Sequence, residues 1–454
     1  MLASITNVRI DWPAWEEILR TLTLRAGYNA AIVVAGAALL GLAGGIIGAF
    51  ALLRKRALVG DALSHAALPG IALAFLLGVA ITGLGRSTPL LLTGAAVSGI
   101  IGVLTIHALS RWTRLHEDAA IGIVLSVFFG AGTVLLGVIQ NQGTGQEGGL
   151  KTFIYGQTAA MSIADASLIG AVALLAVVIS LVLFKELRLL CFDESFAKAQ
   201  GWPVHTLDLL VMALVVVVLV VGMQAVGLLL IVAILIIPPA AARFWTDRLS
   251  RFILLSGVIG AIGGHLGAAV SALLPRMPAG AVIVLTSGTL FALSWFVAPR
   301  RGLLASLFRH ARLRIRVARD HLLRAMFELR ETGGSESVGA RRAIARAGWS
   351  PFKGRLVVAW ARAQRLVLRH DGHLALSPKG LTLAARVTRN HRLWEQYLTL
   401  HADIAPSHVD WSADLVEHVL DADLIAELER ALANGHAGEL PTVPTSIHPL
   451  EGRP

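Results

Sequence analysis

Long apolar runs constrain this chain more than any other feature. From about Ala30 to Pro299 the sequence is dominated by Leu, Val, Ile, Ala and Gly, with charges confined to short islands, whereas from Arg300 onward charges recur every few residues. Runs of about 20 apolar residues match the thickness of a bilayer core, where only helices or closed barrels satisfy the backbone. The sequence therefore predicts an all-α polytopic membrane protein followed by a polar C-terminal third.

The apolar runs divide residues 30–299 into about eight or nine transmembrane helices, after an amphipathic segment over residues 1–29. The run from Leu207 to Ala242 is too long for one helix across about 30 Å, so we divide it at Gly222-Met223-Gln224. The expected spans lie near 30–53, 62–80, 89–110, 119–139, 165–184, 206–221, 223–240, 252–273 and 279–298.

Positively charged islands predict the orientation of these spans. Under the division above they all fall on one side, which the positive-inside rule makes cytoplasmic. We therefore expect a multi-pass protein of a bacterial inner membrane, with the N-terminus outside and the C-terminus in the cytoplasm. The islands are Arg54-Lys55-Arg56, Arg111 with Arg114, Lys185 with Arg188, Arg243 with Arg248 and Arg251, and Arg300-Arg301.

The polar third divides into four segments. A basic juxtamembrane linker over residues 300–320 faces lipid phosphates, and nucleic-acid binding by this stretch alone is the less favoured reading. Residues 321–377 follow the order helix, helix, helix and a hairpin with a turn at Asp371-Gly372, which predicts a winged helix. Residues 378–435 return to a helical pattern, and the Pro-containing tail over 436–454 is expected to be disordered.

One acid and one histidine stand four residues apart at the start of a predicted span. Asp61 and His65 share one helix face at this spacing, and ionisable groups within a span usually line a polar path. A carboxylate with an imidazole suits a borderline dication such as Mn²⁺, Fe²⁺ or Zn²⁺. The alternative is that Asp61 caps the helix while His65 packs in the interior.

Four ordered blocks of this chain resemble the manganese/zinc/iron permease family of ABC importers. They are the Arg54–Leu77 segment with its core GDALSHAALPGIALAFLLG, the Phe192–Gly201 segment, the Gln224–Arg243 segment and the Pro278–Leu285 segment. The resemblance implies that Asp61 and His65 line the metal path.

The same resemblance implies partners. They are a second permease subunit, a pair of ABC ATPase subunits and an extracytoplasmic metal-binding protein. The chain has no Gly-x-x-x-x-Gly-Lys-Ser/Thr loop, so we expect a transport subunit that is not itself an enzyme. The stretch Ala242–Leu249 corresponds to the family's coupling helix, which contacts the ATPase through Arg243, Phe244, Trp245, Thr246, Asp247 and Arg248.

A second set of metal-ligand candidates lies in the C-terminal third. Asp414, Glu417 and His418 share one helix face, for which the alternative is a solvated charged face. The segment from about His321 to Ala433 resembles metal-dependent repressors of the diphtheria toxin repressor and manganese regulator type. That resemblance implies His391, Asp414, Glu417 and His418 as ligands, and it aligns His321 with a further ligand position. Glu395 is a further candidate from the residue pattern. Arg324 stands where manganese-sensing members carry an acid. Cys191 is the only cysteine, which excludes a Cys-rich site.

These patterns and the two resemblances together imply a permease subunit for a divalent transition metal, with Mn²⁺ favoured over Zn²⁺ or Fe²⁺. The metal is the substrate, and it is also the hypothetical ligand of a cytoplasmic domain that senses metal and regulates transport. Three alternatives stay open: a permease for a metal chelate such as cobalamin or a siderophore, a membrane-tethered metal-responsive DNA-binding regulator, and a C-terminal scaffold that only binds the ATPase.

Overall fold

The computed structural model describes residues 13–82, 87–142, 158–274, 277–401, 422–433, 443 and 444. The chain divides into two compact units, residues 1–306 and residues 307–454. The helices of the first unit are α1 (Trp15–Leu22), α2 (Tyr28–Leu53), α3 (Ala57–Thr82), α4 (Thr88–Trp112), α5 (Glu117–Gln142), α6 (Ile163–Val182), α7 (Phe184–Phe192), α8 (Glu194–Ala199), α9 (Val204–Val226), α10 (Leu228–Ala242), α11 (Leu249–Leu273) and α12 (Ala279–Val297).

The first unit is a bundle of apolar helices. Eight helices among the described residues are long and apolar enough to cross a bilayer, namely α2, α3, α4, α5, α6, α9, α11 and α12. Helix α10 is apolar but has only 15 residues, or about 22 Å at 1.5 Å per residue, which falls short of the ~30 Å hydrocarbon core. The prediction of about eight or nine membrane helices is confirmed.

The long apolar run does break, but not where we predicted. Helix α9 continues through Gly222 and ends at Val226, and the break lies at Gly227, whose φ of 88° favours glycine. Gly222 serves packing instead: a Cβ there would lie 2.3 Å from the Cδ1 atom of Ile231. A glycine inside a transmembrane helix can permit close packing as readily as it permits a break, which explains the error of a few residues.

Helices α2 and α11 approach each other backbone to backbone. A Cβ added at Gly41 would lie 2.0 Å from the carbonyl oxygen of Gly260, and one at Gly45 would lie 2.2 Å from that of Ser256. The same holds on the other helix, where a Cβ at Gly264 would lie 2.1 Å from the carbonyl oxygen of Ala37. Small residues at such crossings let the helices gain van der Waals contact that larger side chains would prevent.

The second unit has the predicted winged-helix order. Its elements are α13 (Leu303–Gly333, which begins in the first unit), β1 (Ser337–Gly339), α14 (Ala340–Arg346), α15 (Pro351–Ala363), β2 (Val367–His370), β3 (His373–Leu376), α16 (Pro378–His401) and α17 (Ala422–Ala433). The antiparallel sheet has the order β1-β3-β2, and the hairpin turns at Asp371-Gly372, both with positive φ. The core of this unit contains Leu322, Leu323, Met326, Val338 and Leu374.

The structure gives two details of the second unit that the sequence pattern left open. The predicted linker over residues 300–320 is helical from Leu303 onward, because no glycine or proline interrupts the chain before Gly333. The second helix of the predicted order begins only at Ala340, because residues 337–339 form strand β1 and pair with β3. Short edge strands are set by such long-range pairing, which helical periodicity does not reveal.

Candidate functional site

Asp61 and His65 lie one turn apart near the start of α3. The Nε2 atom of His65 is 3.6 Å from the Oδ1 atom of Asp61, too far for a hydrogen bond. If an ion lay about 2.1 Å from both atoms, the Oδ1–ion–Nε2 angle would be about 118°, close to the angles of four-coordinate sites. The carboxylate is 41% exposed and the imidazole 17% exposed, so the acid is the more accessible of the two.

The side chain of His65 packs against an aromatic ring and has one ring nitrogen without a hydrogen bond among the described residues. Phe129 of α5 meets the His65 ring edge-on, with ring centroids 5.0 Å apart. The Nδ1 atom of His65 is buried and has no hydrogen-bond partner among the described residues. Pro69 lies inside α3 and cannot donate the helical hydrogen bond to the carbonyl of His65. A buried imidazole nitrogen without a partner is costly, which argues against a purely packing role.

This pair fits a dication in its chemistry but not in its number of ligands. Carboxylate and imidazole are suitable donors for Mn²⁺, Fe²⁺ and Zn²⁺. Within the described part of the chain, however, no group of three or more His, Cys, Asp or Glu side chains is placed to hold a metal. The described residues of one chain therefore offer two candidate ligands at this place, of the four or more that such ions take.

A buried carboxylate joins the segments around the start of α3. Asp208, near the start of α9, pairs with Arg54 at 3.1 Å and also with Arg56. Arg54 reaches Glu194 of α8 at 3.0 Å, and Arg56 reaches Glu117 of α5. We call these five residues the Asp208 cluster.

The Asp208 cluster is electrostatically tight. Burial lowers the pKa of Arg54, but the charges of Asp208 and Glu194 outweigh this effect and the pKa is raised overall. The pKa of Glu194 is lowered by its hydrogen bond from Lys198 and by Arg54. Because Arg54 and Arg56 precede α3 directly, the cluster ties the α3 helix start to α5, α8 and α9.

Cys191 lies in α7, beside this cluster. Burial raises the pKa of its thiol to about 11; Arg54 opposes this shift and Asp208 adds to it. The thiolate is the reactive form of cysteine. Cys191 is therefore a poorly reactive thiol near neutral pH.

Labelling of the single cysteine tests this environment. At pH 8 only about one thiol in a thousand would be ionised, so we expect slow maleimide labelling of the folded protein, with the rate rising about tenfold per pH unit between pH 8 and 10. Mass spectrometry of the intact chain measures it directly, and urea-unfolded protein is the control. A rate that levels off near pH 9 in the folded protein would contradict the burial argument.

The predicted coupling helix is not a helix. Helix α10 ends at Ala242 and α11 begins at Leu249, and between them a turn at residues 243–245 is followed by irregular backbone. The Thr246 hydroxyl accepts a hydrogen bond from the Arg248 amide at 3.2 Å, a side-chain turn that competes with helix.

The side chains of this connection point in two directions. Phe244 packs edge-on against Phe291, with ring centroids 5.7 Å apart, and the Arg243 guanidinium lies 5.9 Å from the Phe252 ring centroid. Asp247 pairs with Arg301 at 2.7 Å and with Arg300 at 3.6 Å. Trp245 is exposed. Only part of the predicted contact segment therefore faces outward.

The helix pair α7–α8 is a surface feature that sequence reasoning missed. Asp193 caps α8 by accepting a hydrogen bond from the Phe196 amide at 2.9 Å. Phe192, Phe196 and Trp202 are exposed around these two short helices. The signal was available, since Phe192–Gly201 was one of the four family blocks, but we assigned it no role.

In the second unit, His391 of α16 lies in a buried charged cluster. The Nη1 atom of Arg324 is 2.5 Å from the Nδ1 atom of His391, and the Nε2 atom of His391 is 3.0 Å from the Oε1 atom of Glu395. Arg324 also lies 3.6 Å from Glu328, which Arg346 contacts at 2.8 Å.

The other predicted ligands of this unit are placed less completely. His321 lies half-buried on α13, one turn before Arg324. Asp414, Glu417 and His418 lie outside the described residues. Of the predicted ligands, the structure therefore brings His391 and Glu395 together, and Arg324 contacts His391.

Comparison with known proteins places this arrangement in a family. Residues 28–298, from the start of α2 to the end of α12, match the sequence model described as the ABC 3 transport family. The chain belongs to the ABC 3 transport family. Residues 377–436 match a second model, the iron dependent repressor, metal binding and dimerisation domain. Both predicted resemblances are confirmed.

Individual relatives of this ABC 3 permease agree with the family match. The manganese transport system membrane protein MntC of Bacillus subtilis is 38% identical over 382 residues, covering 83% of this chain and 86% of the relative. The zinc transport system membrane protein TroC of Treponema pallidum is 41% identical over 292 residues, covering 64% and 96%. The solved structure of PsaBC from Streptococcus pneumoniae in complex with Fab has a TM-score of 0.54 at 33% identity, covering 63% of this chain and 98% of that one.

Proposed function

We propose that this ABC 3 permease imports a divalent transition metal ion, with Mn²⁺ favoured and Zn²⁺ and Fe²⁺ as further substrates, along a path that Asp61 and His65 line. The observation that carries the proposal is the juxtaposition of these two side chains, with a buried imidazole nitrogen that lacks a partner in the described chain. Relatives named for manganese and for zinc transport support a metal ion as the cargo.

The incomplete ligand set supports a permease pair. A two-fold partner would bring a second Asp61 and a second His65 to the axis, giving four donors of the types that borderline dications accept. Such a site binds the ion well enough to select it and loses it when the two copies separate. The partner is a second permease subunit, either a copy of this chain or a related one.

Transport requires an ATPase and a metal-binding protein on opposite sides of the bacterial inner membrane. We infer that the ATPase contacts α7–α8 and the exposed part of residues 243–248, because both lie on the side of the positive islands, which we take as cytoplasmic. The exposed aromatic rings at α7–α8 are typical of protein interfaces. The Arg54–Glu194 pair then links that contact to the start of α3.

Uptake by cells that lack their own metal importers tests this function. We expect cells that produce this permease together with the ATPase and the metal-binding protein of the same importer to accumulate more Mn²⁺ than cells that produce the permease alone. Competition by Zn²⁺ and Fe²⁺ ranks the substrates. Uptake of cobalamin or a ferric siderophore without any uptake of free ions would overturn the proposal in favour of a chelate permease.

A DNA-binding role for the second unit is a second candidate. Lys353, Arg355 and Arg362 are exposed on α15, which occupies the recognition position of a winged helix. Binding of full-length protein in nanodiscs to its own promoter DNA, with a steep loss of affinity on raising salt, would support a tethered regulator. Equal binding to DNA of unrelated sequence would indicate only a nonspecific attraction to the basic surface of α15.

A further inference from the structure

A buried cation of the chain itself lies among the side chains predicted to bind metal in the second unit. His391 is 1% exposed, Glu395 0%, Glu328 7% and Arg324 9%. Charged groups so deeply buried need compensating partners, since an uncompensated charge in the interior is very costly. Arg324 supplies such a partner to Glu328, at 3.6 Å, and to the ring of His391, at 2.5 Å.

The protons at His391 can be assigned from Arg324. A guanidinium stays protonated at all relevant pH values and can only donate. At 2.5 Å, Nη1 of Arg324 therefore donates to Nδ1 of His391, which must carry the lone pair. A neutral imidazole has only one such lone pair, so its Nε2 carries the proton and faces Glu395, 3.0 Å away.

A metal ion needs the same lone pair. Coordination by Nδ1 requires Arg324 to leave, and coordination by Nε2 requires His391 to exchange tautomers and to turn its new N–H towards the guanidinium. Arg324 and Arg346 both approach Glu328 with their guanidinium groups, at 3.6 Å and 2.8 Å. A dication entering this group would add two positive charges next to a buried guanidinium. The described residues therefore do not fit a metal ion.

We propose that the guanidinium of Arg324 occupies the cation position of this domain, so that the second unit holds its fold without a metal. Arg324 sits on α13 and His391 on α16, and their contact joins two helices that a metal would otherwise bridge. The domain that matches a metal-binding repressor model would then be insensitive to cytoplasmic Mn²⁺ through His391. Any regulation of transport by this unit would act through another signal.

Quantitative Mn²⁺ binding to the full-length protein tests the proposal. Purified protein carrying Asp61→Ala and His65→Ala, which removes the proposed path ligands, serves as the parent. Electron paramagnetic resonance of free Mn²⁺ measures binding. We expect no stoichiometric Mn²⁺ binding by the parent. Adding Arg324→Asp, which replaces the cation with a ligand, is expected to tighten binding by at least about tenfold, and a further His391→Ala should remove that gain.

A second variant guards against misfolding. Arg324→Gln keeps a polar hydrogen-bond donor but removes the charge, and we expect Mn²⁺ to raise its unfolding temperature while leaving that of the parent unchanged. The proposal is overturned if the parent binds one Mn²⁺ per chain and His391→Ala in that parent abolishes the binding. It is equally overturned if Mn²⁺ stabilises the parent as strongly as either Arg324 variant.

Discussion

Asp61→Ala and His65→Ala are each expected to reduce Mn²⁺ uptake by at least about 100-fold. Loss of a group that only supports a metal ligand typically costs 10–100-fold in affinity, so loss of a ligand itself should cost at least that much. In a two-fold pair each substitution removes two ligands at once. Radioactive or fluorescence-monitored Mn²⁺ uptake into proteoliposomes containing the complete importer measures the effect.

Matched controls exist on the neighbouring helix. Asp118 and His116 are an acid and a histidine at the start of α5, and both are exposed. Asp118→Ala and His116→Ala should leave uptake within about twofold of the wild type, because surface substitutions rarely perturb a fold. Wild-type uptake of Mn²⁺, Zn²⁺ and Fe²⁺ by both Asp61→Ala and His65→Ala proteins would sink the assignment of the path.

The second large effect is expected at Asp208. Asp208→Ala leaves Arg54 and Arg56 without their shared buried carboxylate, and breaking a buried ion pair by removing one partner costs about 3–5 kcal/mol. Both guanidinium groups retain an acid, Glu194 and Glu117 respectively, so we expect a cost near the lower end of this range. Thermal unfolding of the detergent-solubilised protein measures it.

Asp208→Ala should also impair uptake although it leaves Asp61 and His65 in place, because the Asp208 cluster positions the helix start that carries them. The matched control is Lys198→Ala, which breaks the exposed pair with Glu194 and should cost less than about 1 kcal/mol. If Asp208→Ala unfolds like the control and transports normally, the cluster has no positioning role.

Local patterns predicted much of this protein. Apolar run length defined the helices of the membrane unit, and the four-residue spacing of Asp61 and His65 predicted that they would lie on one face. The hairpin at Asp371-Gly372 followed from turn chemistry. These features depend on neighbours within a few residues, where helical and strand periodicity carries the information.

Other features depend on partners far along the chain. Arg54 and Asp208 are separated by 154 positions, and Arg324 and His391 by 67. The resemblance to manganese-sensing repressors placed Arg324 at the position of an acid, but the spacing of the residues around it did not show that its guanidinium would contact His391. The break at Gly227 was likewise predicted a few residues too early, because Gly222 and Gln224 nearby were equally good local candidates. Residues 243–248 were expected to be helical from the family resemblance alone, and they are not.

The glycine crossing of α2 and α11 has a mechanical consequence. With Gly41 against Gly260 and Gly264 against Ala37, no side chains lie between the two backbones at these points to absorb a sliding motion. The two helices should therefore move as one rigid unit during a transport cycle. Opening and closing of the proposed path would then come from helices that pack against this pair, such as α3 with its interior Pro69. A cross-link between α2 and α11 should therefore leave the transport rate unchanged.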